Sequence, residues 1–240
     1  MKRSEINQLI SDSLQFMQKM NFLMPRFATW SPGDWQSKGT EASEIVTSEL
    51  GWDITDFGSG DFEKIGLVIF TIRNGTFAEL KKPQGKVYAE KILIVQENQV
   101  TPTHFHYQKM EDIINRGGGN LLIRLWNSNP DKSLADTPVT VSIDGVCKTV
   151  SAGDVVTLEP GDSICLTQNL YHRFWGQPET GPVLVGEVSR VNDDHVDNYF
   201  YDGVGRFPAI EEDVPPLHLM IMDYPKYYRY ATNPHATRGT

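Results

Sequence analysis

The length, composition and charge of the chain exclude several classes of protein before any motif is considered. With 240 residues, of which 39% are hydrophobic and 22% charged, the chain has the composition of a folded globular protein, not a disordered or fibrous one. Its formal net charge of −9 disfavours nucleic acid and anionic membrane as partners.

The cysteines and the N-terminal residues bear on the cellular compartment. Cys147 and Cys165 are too few for the disulfide framework of a small secreted protein, and both lie in apolar, strand-like sequence, so we expect buried free thiols. The segment 4–13 is too polar for a signal peptide, and no stretch approaches the ~20 apolar residues of a membrane-spanning helix. The sequence therefore predicts a cytoplasmic protein.

The chain is expected to form a single domain over residues 1–240, with three parts. Apolar residues recur at helical spacing from Ile6 to Met20, and a short helix is expected between Glu41 and Leu50, so about 1–62 forms a helical and loop extension. A β-barrel follows over about 63–200. A tail over about 201–240 wraps the barrel and frays over its last ten residues.

The predicted barrel consists of many short β-strands. From Gly66 onward, runs of β-branched and aromatic residues are bounded by Asn-Gly, Asp-Gly, Gly-Asp or Pro-Gly pairs, and Ile143-Asp144-Gly145 has the sequence of a hairpin turn. No alternation of strands with helices supports a doubly wound sheet. The pattern predicts a mainly β protein, an antiparallel sandwich or barrel with an N-terminal helix and peripheral short helices.

Three metal-ligand side chains lie close together between Thr103 and Gly119. His104 and His106 alternate along a predicted strand and so share a face, and Glu111 joins them if the alternation breaks once at a bulge or bend. Two histidines on a strand face can also be an ordinary polar surface. The carboxylate that follows favours a divalent metal site, and the mixed nitrogen and oxygen set suits manganese, iron, cobalt, nickel or zinc.

A fourth ligand is expected from a distant strand. The chain has six histidines, and His172 lies within the predicted β region, at the start of a strand. The remaining candidates, His195, His218 and His235, lie outside that region. His172 is therefore the expected partner of His104 in the metal site.

These residues resemble the first conserved motif of the cupin superfamily, small β-barrels of the jelly-roll type. His104, His106, Glu111 and Gly118 stand at the spacing of that motif, and Asn98 replaces its first glycine. Asparagine is the residue that best substitutes for glycine in a left-handed turn. The resemblance implies a metal-binding cupin barrel.

The second cupin motif is matched less completely. Gly161 and His172 fall on it in register, whereas Thr167, Asn169 and Gly176 replace its proline, second glycine and final asparagine. The metal ligand is kept and the turn residues differ.

Over nearly its whole length, the chain further resembles the bacterial D-lyxose isomerase family. The resemblance is carried by residues 89–121, 161–176 and 187–200, with the N-terminal helix and the chain length. It implies a manganese-dependent aldose–ketose isomerase that interconverts D-lyxose and D-xylulose, acts on D-mannose and D-fructose, and forms a homodimer.

Isomerisation of an aldose moves a proton between two neighbouring carbons through an enediol, which requires an acid–base group beside the metal. Glu111 and Lys109 are the candidates, and the resemblance suggests the same pair; which is base and which is acid stays open. Lys109 is equally consistent with a solvated lysine at a strand end.

Glu187, a carboxylate in an apolar strand, is a candidate substrate contact because an unpaired charge there is costly.

Arg190, Asp193 and Asp194, in the segment SRVNDDH, are further candidate contacts for sugar hydroxyls, although the segment is equally consistent with an ordinary polar turn. Two alternatives to an isomerase remain: an oxygen-consuming cupin dioxygenase that uses iron, and a sugar-binding cupin without turnover. A sugar-phosphate isomerase requires a cluster of basic residues. The arginines that could form one are scattered in sequence at Arg116, Arg124, Arg173 and Arg206.

Overall fold

The structure, a computed structural model, describes residues 1–231. The frayed end expected from the sequence covers residues 231–240. Of these, only Ala231 belongs to the described part of the chain. No helix in the described part is long and apolar enough to span a membrane. The α-helices are α1 (Arg3–Lys19), α2 (Pro32–Ser37), α3 (Ser43–Thr47) and α4 (Tyr224–Tyr227).

The strands pair into two antiparallel sheets. Their bounds are β1 (Gly51–Thr55), β2 (Leu67–Arg73), β3 (Tyr88–Val95), β4 (Thr101–His106), β5 (Glu111–Gly118), β6 (Leu121–Asn127), β7 (Val139–Ile143), β8 (Val146–Val150), β9 (Val155–Leu158), β10 (Ser163–Leu166), β11 (Leu170–Gly176), β12 (Val183–Arg190) and β13 (Asn198–Phe200). The larger sheet has eight strands in the order β1-β2-β3-β12-β5-β10-β7-β8, and the smaller has five in the order β13-β4-β11-β6-β9.

The two sheets face each other across one hydrophobic core. Leu93 and Val185 of the larger sheet pack in that core with Ile123 and Phe174 of the smaller sheet. The arrangement confirms the predicted mainly β class and its cupin-type jelly-roll barrel. The predicted hairpin turn is also present, because Asp144 and Gly145 both have positive φ between β7 and β8.

The outer face of the larger sheet is covered by α1. Because side chains alternate along a strand, Phe70 and Ile92 point away from the inner core and contact Ile6 and Ile10 of the helix. The helix therefore packs on the protein's own sheet, as its apolar stripe predicts. The part of the larger sheet formed by β2 and β3 is therefore buried on both faces.

Two details of the fold differ from the expectations. The larger sheet begins with β1, within the segment expected to be a helical and loop extension, so the boundary near residue 62 is placed too late. Cys147 is exposed and Cys165 is half-buried, so the expectation of two buried thiols is wrong. Cys147 lies on β8, an edge strand that is largely exposed.

Candidate metal centre and active-site cavity

Three histidines of the smaller sheet meet on its inner side. His104 and His106 alternate along β4, and His172 lies on the neighbouring β11 directly opposite His104. One ring nitrogen from each of the three lies within 4.8 Å of the others. All three side chains are buried, so the structure brings together the imidazoles that the sequence singles out.

Glu111 reaches the same point from the opposite wall of the barrel. The chain leaves the smaller sheet after His106 and enters the larger sheet at Glu111, the first residue of β5. The Glu111 Oε1 atom lies 3.4 Å from His106 Nε2 and 3.2 Å from His172 Nε2. The expected bulge within a single strand is replaced by a crossing between sheets, so the ligand candidates span both walls.

Hydrogen bonds to backbone carbonyls orient two of the imidazoles. His104 Nδ1 lies 2.7 Å from the Pro102 carbonyl oxygen, and His172 Nδ1 lies 3.1 Å from that of Leu170. Because a carbonyl only accepts, each Nδ1 carries the hydrogen and each Nε2 keeps its lone pair. Such anchoring of the second ring nitrogen is the usual arrangement of histidine metal ligands.

The protonation states of His104, His106 and Glu111 also suit a metal ion. Burial, reinforced by the neighbouring histidines, holds the pKa of His104 well below its usual value. Burial and the nearby Lys109 ammonium lower the pKa of His106. Burial alone would raise the pKa of Glu111, but Lys109 and His106 hold it well below its usual value. Neutral imidazoles and one carboxylate fit a divalent cation.

Lys109 lies in the connection between β4 and β5 and points into the barrel. Its backbone N–H donates to the Asp197 carboxylate at 3.0 Å, which anchors the connection. Its Nζ atom lies 2.7 Å from Glu111 Oε2 and 2.9 Å from Glu187 Oε1. The side chain is 2% exposed. The alternative of a solvated lysine is therefore wrong.

Lys109 is held as an ammonium ion. Burial by itself lowers the pKa of a lysine, but Glu111, Glu187 and Asp194 outweigh that effect, and the pKa of Lys109 is raised above its usual value. Lys109 therefore acts as a hydrogen-bond and proton donor in this state.

Beyond Lys109 the cavity continues as a row of buried groups of alternating charge. Lys91 Nζ lies 3.7 Å from Glu187 Oε1 and 3.8 Å from Asp194 Oδ2. Arg206 Nη2 donates to Asp194 Oδ2 at 2.7 Å and also to Asp53. A buried charge is costly unless it is paired, and here each charge has a partner of opposite sign.

The sequence suggests Asp194 as a sugar contact, but it gives neither Lys91 nor Arg206 that role. A signal for Lys91 exists, since it interrupts an apolar strand in the same way as Glu187, and the two lie opposite each other in the pair of β3 and β12. Arg206 and Asp194 come from irregular segments. Their approach to the cavity depends on how those segments cross the barrel.

Arg190 and Asp193 lie outside this cavity. Along β12, Glu187 and Ser189 face inward, so the alternation turns Arg190 outward, where it is exposed and contacts the Gln108 carbonyl at 3.4 Å. Asp193 lines a separate cavity formed with residues of the segments 47–49 and 74–78. Its neighbour Asp194, the other aspartate that the sequence suggests, lines the active-site cavity.

The active-site cavity has a volume of about 40 Å³ and combines a charged half with an apolar half. The charged half is the row from Glu111 to Arg206. The apolar half includes Phe57, Leu93, Phe174 and Phe200. A few convergent polar groups beside an apolar wall are the lining chemistry of small-molecule pockets.

L-ribose isomerases are among the solved structures with a similar fold. An L-ribose isomerase from Cellulomonas parahominis with L-ribose superposes with a TM-score of 0.58 at 18% identity, over 88% of this chain and 98% of that one. An L-ribose isomerase from Acinetobacter sp. DL28 in complex with L-ribose gives a TM-score of 0.59 at 15% identity over the same shares. At these identities the likeness establishes the shared fold.

Comparison of sequences is more specific. The family model of D-lyxose isomerase matches residues 1–224. A D-lyxose/D-mannose isomerase from Serratia proteamaculans is 48% identical over 228 residues, which are 95% of this chain and 99% of that protein. A D-lyxose/D-mannose isomerase from Escherichia coli O157:H7 is 46% identical over 95% of this chain and all of its own length. The chain belongs to the D-lyxose isomerase family of sugar isomerases.

Proposed function

We propose that the protein interconverts D-lyxose and D-xylulose, and D-mannose and D-fructose, with a divalent metal ion, manganese, bound at His104, His106, Glu111 and His172. The observation that carries the proposal is the position of Lys109. Its ammonium group lies between a ligand carboxylate, Glu111, and a second buried carboxylate, Glu187. This arrangement supports a proton donor and a base that act together beside a bound metal ion.

A divalent cation held by His104, His106, Glu111 and His172 would supply electrostatic stabilisation of the charge that develops on the sugar oxygens. The nitrogen and oxygen donors lack a thiolate, which suits manganese among other divalent ions. The choice of manganese rests on the family resemblance.

The protein's own groups move the protons. Conversion of an aldose into a ketose transfers one proton from C2 to C1 and another from the C2 hydroxyl to the C1 oxygen. A single carboxylate that takes the proton from C2 and returns it to C1 accomplishes the first transfer. Lys109 accomplishes the second, since it donates a proton to the C1 oxygen and recovers one from the C2 oxygen.

Glu187 is the base in this scheme. Glu111 directs Oε1 to the two histidines and Oε2 to Lys109, so both of its oxygens are engaged. The contacts of Glu187 from Lys109 and Ser189 both fall on Oε1. The sequence suggests Glu187 as a substrate contact, and we propose it as the catalytic base. The sequence suggests Glu111 as both metal ligand and acid–base group, and we propose it as a metal ligand alone.

The far end of the cavity holds the remaining sugar hydroxyls. Lys91, Asp194 and Arg206 present donors and acceptors there. Arg206 Nη1 is buried and has no hydrogen-bond partner among the described residues, which leaves a donor for a sugar oxygen. Asp194 thus stays a proposed substrate contact, and Lys91 and Arg206 take the place of Arg190 and Asp193.

The deciding experiment measures ketose formation by metal-stripped protein with and without added manganese. D-lyxose, D-mannose and their phosphates are offered as substrates, and dissolved oxygen is followed in parallel. Manganese-dependent ketose formation from the free sugars without oxygen uptake is expected. Oxygen consumption would favour the dioxygenase alternative, and manganese binding without turnover would favour a sugar-binding cupin.

We further propose that residues 1–240 act as one domain in a cytoplasmic homodimer. The packing of α1 on the outer face of the larger sheet supports a single domain. The homodimer rests on the family resemblance, and sedimentation equilibrium at micromolar concentration tests it.

A further inference from the structure

Two arginines face each other on the outer side of the smaller sheet. Arg124 on β6 and Arg173 on β11 are directly opposite in the antiparallel pairing. Like charges at directly opposite positions destabilise a strand pair. Within residues 1–231 neither guanidinium has an ion pair, although the chain carries 31 acidic residues against 22 basic ones. An acceptor with negative charge would remove this repulsion.

A surface cavity of about 230 Å³ opens over this pair. It is lined by Asn98, Val100, Arg124, Arg173 and Trp175, and no carboxylate lines it. The lining therefore contains two guanidinium groups, one side-chain amide and one aromatic ring, and it contains no anionic side chain.

Arg124 is held in place while one of its donors remains unused. Its guanidinium lies over the ring of Trp175, with 5.6 Å between the guanidinium carbon and the ring centroid. Its Nε atom is buried and has no hydrogen-bond partner among the described residues. A fixed guanidinium plane with a free N–H edge is suited to a planar or tetrahedral oxyanion.

We propose that Arg124, Arg173, Asn98 and Trp175 form a binding site for a small oxyanion, the phosphate group of a metabolite. Two guanidinium groups bracket the phosphate oxygens, and its negative charge offsets their mutual repulsion. Asn98 offers its amide at the side of the cavity.

The proposed site is distinct from the active-site cavity. Arg173 follows His172 along β11, so the two side chains point to opposite faces of the smaller sheet. A ligand on Arg173 thus lies on the outer side of the sheet, and His172 lies on the inner side with Glu111. The site therefore provides binding without a role in turnover of the sugar.

Titration calorimetry of the metal-loaded protein with inorganic phosphate tests the proposal, at an ionic strength held constant with chloride. Saturable binding of one phosphate per chain is expected. The double variant Arg124→Gln/Arg173→Gln should bind phosphate at least about tenfold more weakly, because both charge-assisted contacts are lost. D-lyxose turnover without phosphate should be unchanged in this variant.

Arg229→Gln is the matched control. Its guanidinium lies 5.6 Å from the ring centroid of Tyr230, the same distance as in the pair of Arg124 and Trp175, and it does not line the proposed site. This variant should bind phosphate as the wild type does.

Three results would overturn the proposal. The first is the absence of saturable phosphate binding to the wild type. The second is undiminished binding in the double variant, which would place the phosphate elsewhere, in the active-site cavity. The third is a change in sedimentation mass in the double variant, which would assign the arginine pair to a contact between copies of the chain.

Discussion

His172 lies directly opposite His104 in the antiparallel pair of β11 and β4, so strand pairing sets the separation of the two imidazoles. Their ring centroids are 4.1 Å apart. Each ring is further fixed by a hydrogen bond from Nδ1 to a carbonyl of its own strand segment. Ligand positions fixed by paired strands are more precise than positions in loops.

His172→Ala is expected to weaken manganese binding by at least about 100-fold and to abolish turnover, because one of the four proposed ligands is lost while the strand pair remains. Metal content after dialysis, measured by mass spectrometry, checks this. His218→Ala is the control, since the ring of His218 contacts the Trp30 carbonyl away from the cavity. Full metal content in His172→Ala would remove His172 from the ligand set.

Lys109→Met keeps most of the side-chain volume and removes the ammonium. We expect kcat to fall by about 100-fold or more, the usual scale for an acid–base group, with manganese content retained. Lys148→Met, a change at an exposed lysine of β8, is the matched control. A wild-type kcat in Lys109→Met would show that Lys109 only balances the charges of Glu111 and Glu187.

The turns of the cupin motifs could be predicted from the sequence. Asn98 and Asn169 stand where the motifs have glycine, and both adopt positive φ, 59° and 58°. The strand alternation likewise placed His104 and His106 on one face. These features are local, because a turn or an alternating strand is specified by residues close in sequence.

The contacts within the charged half of the cavity could not be predicted in the same way, although Glu111, Lys109 and Glu187 are candidates from the sequence. Glu111 joins the histidines only because the chain crosses from one sheet to the other, and Lys91 meets Asp194 only when the segment after β12 folds over the barrel. Such contacts depend on the packing of distant elements. Asp193 and Asp194 are neighbours in an irregular segment, yet Asp194 lines the active-site cavity and Asp193 lies outside it.

Glu187→Gln tests the assignment of the base. The amide keeps the shape of the side chain but cannot take a proton from C2, so kcat should fall by about 100-fold or more. Exchange of the C2 hydrogen of D-lyxose with deuterium from D₂O, measured by NMR, should fall in parallel. In Lys109→Met the exchange should be less impaired than ketose formation. Near wild-type exchange in Glu187→Gln would return the role of base to Glu111.

Arg206→Lys tests the far end of the cavity. A lysine lacks the guanidinium fork with which Arg206 contacts both Asp53 and Asp194 and offers Nη1 to the cavity. The KM for D-lyxose should rise by about tenfold, because the loss of one hydrogen bond to a charged group weakens binding by about that factor. The manganese content should be unchanged. Arg190→Lys is the comparison. A larger rise of KM in Arg190→Lys would favour the substrate contact expected from sequence.

Arg3→Met tests the attachment of α1 to the C-terminal part of the described chain. Arg3 is 1% exposed, and its guanidinium donates to Asp223 at 2.7 and 2.9 Å and to the half-exposed Glu212. Its loss leaves the buried Asp223 without a cationic partner, so the free energy of unfolding in urea should fall by about 3–5 kcal/mol. Glu212→Gln should cost about 1 kcal/mol or less, because its exposed carboxylate is solvated and screened. Equal losses in the two variants would contradict the dominant role assigned to Asp223.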